Sequence, residues 1–229
     1  MLNFQQKVKK MKNFLEILKQ CPLFAGIGDA DLEAVLNCTG ARLRTFAKSE
    51  TVLAEGERAK YICVLVSGAA QIERTDYYGN KSILTNIAPG ELFGESFACA
   101  EIAQIPISAV ATQECKVLFI ECSRIMHTCA SCCAFHDKMI FNLLKVMATK
   151  NILLNQKTEI TAKRTTREKL MAYLLLQAKR QNRQSFAIPF DRQGLADFLS
   201  VDRSGLSAEI SKLRTEGVLE CRKNQFKLL

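Results

Sequence analysis

The chain has 229 residues, 48 % hydrophobic and 24 % charged, a composition that supports a buried core and, at roughly 100 to 200 residues per domain, predicts two modest domains. No apolar run reaches the roughly 18 residues a membrane-spanning helix needs, and the basic, amphipathic stretch from Met1 to Gln20 has no apolar signal core, so neither a secreted nor a membrane protein is expected. The net charge of +9 is uneven: from Thr161 onward 14 Lys and Arg stand against 7 Asp and Glu, a net +7, which points to a polyanion-binding last third on a nearly neutral remainder.

Phe14, Leu15, Ile17 and Leu18, then Leu32, Val35 and Leu36, recur at helical spacing, with joints at Cys21-Pro22 and Gly26-Ile27-Gly28. From Arg42 to Glu121 the pattern turns to short β-prone runs between turn residues: Thr51–Leu53, Tyr61–Val66, a run around Ile72, and Ile83–Ile87. Strands spaced in this way predict an all-β roll or barrel. Gly56, Gly68, Gly79 and Gly90 follow one another at 12, 11 and 11 residues and read as turn positions that need positive φ.

From Phe135 to about Glu159 there is neither Gly nor Pro, which predicts a helix of roughly 36 Å at 1.5 Å per residue. Met139, Leu143, Val146 and Leu153 form one apolar seam, and Ile140, Met147 and Leu154 a neighbouring one, interrupted at Lys150-Asn151. A stripe this long points to helix-to-helix dimerisation, with Ile140, Leu143, Met147 and Leu154 as its contacts; the alternative is a helix packed on its own β domain. The last section has its own grammar: a helix over Arg167–Lys179, a β-like run Phe186–Phe190, two further helices, and a terminal hairpin formed by Val218-Leu219 and Phe226–Leu229.

Those two further helices carry the most specific local signal. Leu195, Ala196 and Leu199 form the inner face of the first, Leu206, Ile210 and Leu213 that of the second, and Ser200-Val201 turns between them, which is helix-turn-helix spacing. Asp202 fits the N-cap of the second helix, where a carboxylate accepts the free amides of the first turn. Arg203, Ser204 and Ser207 then face outward at the end of the helix that meets base edges in the major groove, Arg203 as a bidentate partner for guanine. Arg192 and Gln193 are expected near phosphates.

Taken in order, Cys21-Pro22-Leu23-Phe24, the Tyr61-to-Gly68 strand and turn, Phe93-Gly94-Glu95, the long helix and the Leu195–Leu219 unit resemble the Crp/Fnr family of transcription regulators over nearly the whole chain. The resemblance implies an α+β chain in three parts. Residues 1–125 would be a double-stranded β-roll of the cyclic-nucleotide-binding jelly-roll type with N-terminal helices. Residues 126–160 would be a central dimerisation helix and hinge, and 161–229 a winged helix-turn-helix. It further implies a cytoplasmic homodimer on a two-fold symmetric site in double-stranded promoter DNA, with RNA polymerase as a partner if the protein activates, and no membrane partner.

The departures concern the effector. Cyclic-nucleotide-responsive members carry an Arg-Ser pair after Gly-Glu, the arginine holding the cyclic phosphate; here Gly94, Glu95 and Ser108 match, but Ile107 replaces the arginine. Losing a charge-assisted bond costs about 1.5 to 3 kcal/mol and an uncompensated buried phosphate costs more, so cAMP is not expected as effector. The pocket at these four residues then takes a less charged small molecule, as yet unidentified, or has become core.

Ten cysteines are too few for a disulfide scaffold and read as reduced thiols. Cys129, Cys132 and Cys133 are candidates for metal or redox chemistry, but Cys-x-x-Cys-Cys alone lacks the four ligands of an iron-sulfur or zinc site, and haem ligation through His127 or His136 has no specific support. No cofactor is therefore assigned. An enzyme is not expected, since nucleophile-elbow, phosphate-loop and metalloprotease spacings are missing. The competing class is a ligand-binding or thiol- or metal-based redox-sensing β-roll protein without sequence-specific DNA binding.

Overall fold

The computed structural model describes residues 14–126 and 134–229, arranged as two compact units, Met1–Ala148 and Thr149–Leu229. In the first unit, helix α1 (residues 14–20), a 3-10 turn at Pro22–Phe24 and helix α2 (Asp29–Cys38) precede eight strands: β1 (Arg42–Phe46), β2 (Thr51–Leu53), β3 (Tyr61–Ser67), β4 (Ala70–Thr75), β5 (Lys81–Ile87), β6 (Leu92–Phe93), β7 (Ser108–Ala111) and β8 (Cys115–Glu121). They form two antiparallel four-stranded sheets, ordered β1-β8-β3-β6 and β2-β7-β4-β5. Short helix α3 (Glu95–Cys99) follows β6, and α4 (Cys122–Met126) follows β8.

The continuous apolar run in β3 has a direct cause. Successive side chains of a strand point to opposite faces, and both faces of this strand are covered. Cys63 and Leu65 join Phe46, Leu53, Phe93, Val117 and Phe119 in a core between the sheets. Ile62, Val64 and Val66, with Leu118 and Ile120 from β8, face the helices and pack with Leu18, Leu23, Phe24, Leu32, Met139 and Leu143. Burying one such side chain fully is worth about 1.5 to 3 kcal/mol.

The four evenly spaced glycines all have positive φ, between 84° and 87°. Gly68 is the most constrained: a Cβ there would lie 2.2 Å from the Glu114 carbonyl oxygen, so the β3–β4 turn admits no side chain.

Helix α5 spans Ala134–Thr161, and the boundary between the units falls within it rather than at 125/126 or 160/161, because its two ends serve different cores. Met139 and Leu143 belong to the first, Ile160 to the second. Asn142 ties the helix to the first unit, its side-chain amide donating to the carbonyls of Leu23 and Ala25 at 3.0 and 2.9 Å.

The second unit continues with α6 (Thr166–Gln181), β9 (Ser185–Ala187), α7 (Arg192–Leu199), α8 (Arg203–Thr215), β10 (Leu219–Arg222) and β11 (Gln225–Leu228), the strands forming an antiparallel sheet ordered β10-β11-β9. A capping box starts α6: Thr165 accepts from the Glu168 amide while the Glu168 carboxylate accepts from the Thr165 amide. Leu170, Tyr173 and Leu174 of α6 close on Leu195, Ala196 and Leu199 of α7, Leu206, Ile210 and Leu213 of α8, and Phe186 and Phe226 of the sheet.

Candidate functional site

Two aspartate caps build the α7–α8 pair. Asp191 accepts from the Gly194 amide at 2.7 Å and starts α7, and Asp202 accepts from the Gly205 amide at 2.9 Å and starts α8. Between them Ser200 takes a left-handed conformation (φ 52°, ψ 55°) that ends α7 and turns the chain. Hydrogen bonds from the Ser204 hydroxyl and the Gly205 amide hold the Asp202 carboxyl below the usual carboxylate range. It stays ionised at the positive end of the helix dipole.

This geometry exposes Arg203 and Ser204 on the first turn of α8. Ser207 is half-buried, its hydroxyl donating to the Arg203 carbonyl at 2.9 Å. A groove of about 670 Å³ brings Arg203 together with Asp191, Arg192 and Gln193 at the start of α7 and with Lys223 and Asn224 at the β10–β11 turn. Arg192 is half-buried, its guanidinium 5.9 Å from the centre of the Phe226 ring and 3.5 Å from the Cys221 sulfur. The Gln193 side-chain amide donates to Asp197 at 2.8 Å. All six residues expected at a nucleic-acid surface thus lie on the adjoining starts of two helices. Lys223 and Asn224 were not among them; the sequence signal was the polar Arg222-Lys223-Asn224 run inside an otherwise β-prone terminal segment, and Lys223 takes the positive φ (54°) of the turn.

The region expected to take an effector is more buried at Glu95 and Ile107. Gly94 (φ 77°) starts α3, placing Glu95, 2 % exposed, in the first turn, where it accepts from the Ser96 hydroxyl at 3.2 Å. Ile107 is 6 % exposed and clusters with Ala59 and Ile105, against Phe97 of α3 and Ile72 of β4. The Ser108 hydroxyl accepts from the Glu55 amide at 3.2 Å. The structure therefore brings α3, Ile107 and Ser108 into one neighbourhood, with an apolar cluster where a phosphate would need a countercharge.

Of the four residues expected along the dimer helix, Leu143 lies in the core of its own unit, 4 % exposed, because β3 and α2 also need that face of α5 covered. Ile140 and Met147 are half-buried and Leu154 is 62 % exposed. Phe141 and Leu144, three residues apart on the first unit's part of the helix, are exposed as well, and so are Ile152 and Leu153 on the second unit's part. Cys129, Cys132, Cys133 and His127 lie outside the described residues. His136 is buried, stacked on Phe135 with ring centres 5.3 Å apart, and its Nε2 is 3.2 Å from the Arg124 carbonyl oxygen and 3.9 Å from the Cys38 sulfur, the setting of a core histidine. Among the described residues no group of three or more His, Cys, Asp or Glu is placed to hold a metal, and no helix is long and apolar enough to cross a membrane.

Residues 43–132 match the cyclic nucleotide-binding domain, and residues 168–229 the Crp-like helix-turn-helix domain. The chain belongs to the Crp/Fnr family. A curated relative, the cyclic AMP receptor protein of Thermus thermophilus, is 28 % identical over 101 residues, a stretch that spans 44 % of this chain and 45 % of that protein. The structure of CprK complexed with OCPA matches with a TM-score of 0.61 at 19 % identity, covering 86 % of this chain and 91 % of that one. The c-di-GMP responsive global regulator CLP of Xanthomonas campestris matches with a TM-score of 0.57 at 17 % identity, covering 88 % and 99 %. These two likenesses concern the fold, and the two matched domains account for the β-roll and for the α6-to-β11 unit of this Crp/Fnr chain.

Proposed function

We propose that this Crp/Fnr protein is a cytoplasmic, homodimeric transcription regulator that binds two-fold symmetric promoter DNA through α8 and is not controlled by cAMP. The observation that carries the reading is the groove in which Arg203 on the first turn of α8 faces Arg192, Gln193 and Lys223. Arginine at that helix position supplies a planar, bidentate donor for guanine, and the flanking cations supply phosphate contacts. Exposed Phe141 and Leu144, on the first unit's part of α5, support self-association, since a helix of a monomer has little reason to expose two large apolar side chains on one side. Ile107 in an apolar cluster argues against a cyclic phosphate, whose desolvation would go uncompensated.

Fluorescence anisotropy of the full chain on promoter fragments tests the DNA reading. Affinity should fall about a hundredfold between 50 and 200 mM salt as counterions released from several phosphates are paid back. Binding that ignores salt would contradict it. Calorimetric titration with cAMP should show no heat of binding in the micromolar range, and a micromolar dissociation constant would overturn the effector half.

A further inference from the structure

α3 ends at Cys99 and α4 begins at Cys122, and the two sulfurs are 3.6 Å apart. Cys99 is half-exposed and Cys122 is buried against the first core. The geometry points to Cys99 and Cys122 as a redox-active dithiol, which a peroxide converts to an intramolecular disulfide that clamps α3 to α4. The regulatory consequence of that clamp, a changed affinity for promoter DNA, rests on the DNA-binding reading above; the chemistry does not.

The pair differs from Cys63 and Cys115 in position and polarity. Cys63 and Cys115 sit between the sheets, where burial pushes their thiols up and keeps them protonated. In the pair, the hydrogen bond between the two sulfurs lowers the Cys99 thiol against the opposing effects of burial and the Glu95 carboxylate, while the same bond, burial, Cys99 and Glu101 raise Cys122. Cys99, the more exposed of the two, meets the peroxide and is the attacking sulfur, and buried Cys122 is the resolving one.

In the first step the Cys99 sulfur attacks one peroxide oxygen: an S–O bond forms, the O–O bond breaks, and hydroxide or alkoxide leaves, giving Cys99 sulfenic acid. The Cys122 sulfur then attacks the Cys99 sulfur; the S–S bond forms, the S–O bond breaks, and water leaves with the Cys122 proton. Two thiols have lost two electrons to one peroxide, which ends as water or alcohol plus water. Closure needs the sulfurs to approach by about 1.5 Å, to the roughly 2.05 Å of a disulfide. Because α3 starts at the Gly94-Glu95 turn, the bond ties the effector region to the segment that follows β8.

The full chain, reduced and freed of reductant, is treated with a small excess of hydrogen peroxide, alkylated, digested without reductant and mapped by mass spectrometry. The expected product is a Cys99 peptide joined to a Cys122 peptide, reversed by dithiothreitol and missing in Cys99→Ser. A linkage of Cys122 to Cys129, Cys132 or Cys133, or sulfinic acid without linkage, overturns the dithiol. Anisotropy on promoter DNA then compares reduced, oxidised and Cys99→Ser protein. A shift of threefold or more on oxidation, cancelled in Cys99→Ser, supports the clamp, whereas a linked protein with unchanged affinity overturns its regulatory role. Reduced protein that does not bind DNA overturns the DNA reading and leaves the mapped disulfide standing.

Discussion

In the β-roll, the position where cyclic-nucleotide-responsive relatives hold an arginine carries Ile107, packed with Ala59 and Ile105, while in the winged unit Arg203 stands exposed at the start of α8 across a groove from Lys223. The same chain thus has an apolar cluster at the first place and a groove lined by Arg192, Arg203 and Lys223 at the second. A phosphate entering the first would lose its hydration with nothing to replace it, a penalty of several kcal/mol. A phosphate meeting the second stays partly solvated and releases counterions. Under the proposed reading, family membership carries over the fold of both units but the anion chemistry of only one.

The comparison rests on the units being separately packed, and the largest expected effect tests that. Leu206→Ala removes a fully buried side chain of the second core, at about 2 to 5 kcal/mol. Scanning calorimetry should show the transition of the second unit moved down and that of the first unchanged, with Leu65→Ala giving the converse. Equal movement of both transitions by either variant would mean one cooperative body.

A smaller effect sharpens the contrast within the groove. Arg203→Ala should cost about 1 to 3 kcal/mol on the preferred site and relax discrimination at one base position, whereas Lys223→Ala should weaken all sequences alike and reduce the salt slope by about one. Binding to a panel of single-base variants at two salt concentrations separates the two. Uniform loss in Arg203→Ala would make it a phosphate contact.

Much of this was readable in the residues, for physical reasons that also mark where reading stopped. Turn glycines and the β-prone runs between them announce themselves, so β2, β3, β5 and the Gly56-to-Gly90 series stand where the pattern put them. The α7–α8 pair was legible because aspartate caps and inner-face leucines are local signals. Short α3 and α4 were not, since five residues carry too little periodicity, and so the proximity of Cys99 and Cys122 across 23 positions stayed hidden. The side of α5 that faces outward was also misplaced at Leu143: two apolar seams side by side satisfy the same periodicity, and only packing against β3 and α2 decides which is core. Lys223 needed the hairpin register, Arg222 opposite Gln225, before it could be set beside Arg203.

The smallest effect concerns acid. In the second unit the carboxyls of Glu168, Asp202 and Glu216 are all held low, by the Thr165 cap, by the Ser204 hydroxyl and Gly205 amide, and by the Arg167 guanidinium respectively; in the first unit Asn80 holds Asp76 low. A carboxyl whose native value lies below its unfolded one stabilises the fold above the unfolded value, about 4, and loses that contribution as pH falls through the native value. The melting temperature of the second unit should therefore begin to drop below about pH 4 and drop further than that of the first, read by calorimetry from pH 7 to 2.5. Asp202→Asn isolates the cap, because asparagine accepts the same amides without titrating. The variant should be slightly less stable than the parent at neutral pH, having lost the charge at the helix start, and show a shallower acid decline. An identical decline would place the acid sensitivity at Glu168, at the start of α6, and at Glu216, at the C-terminal end of α8.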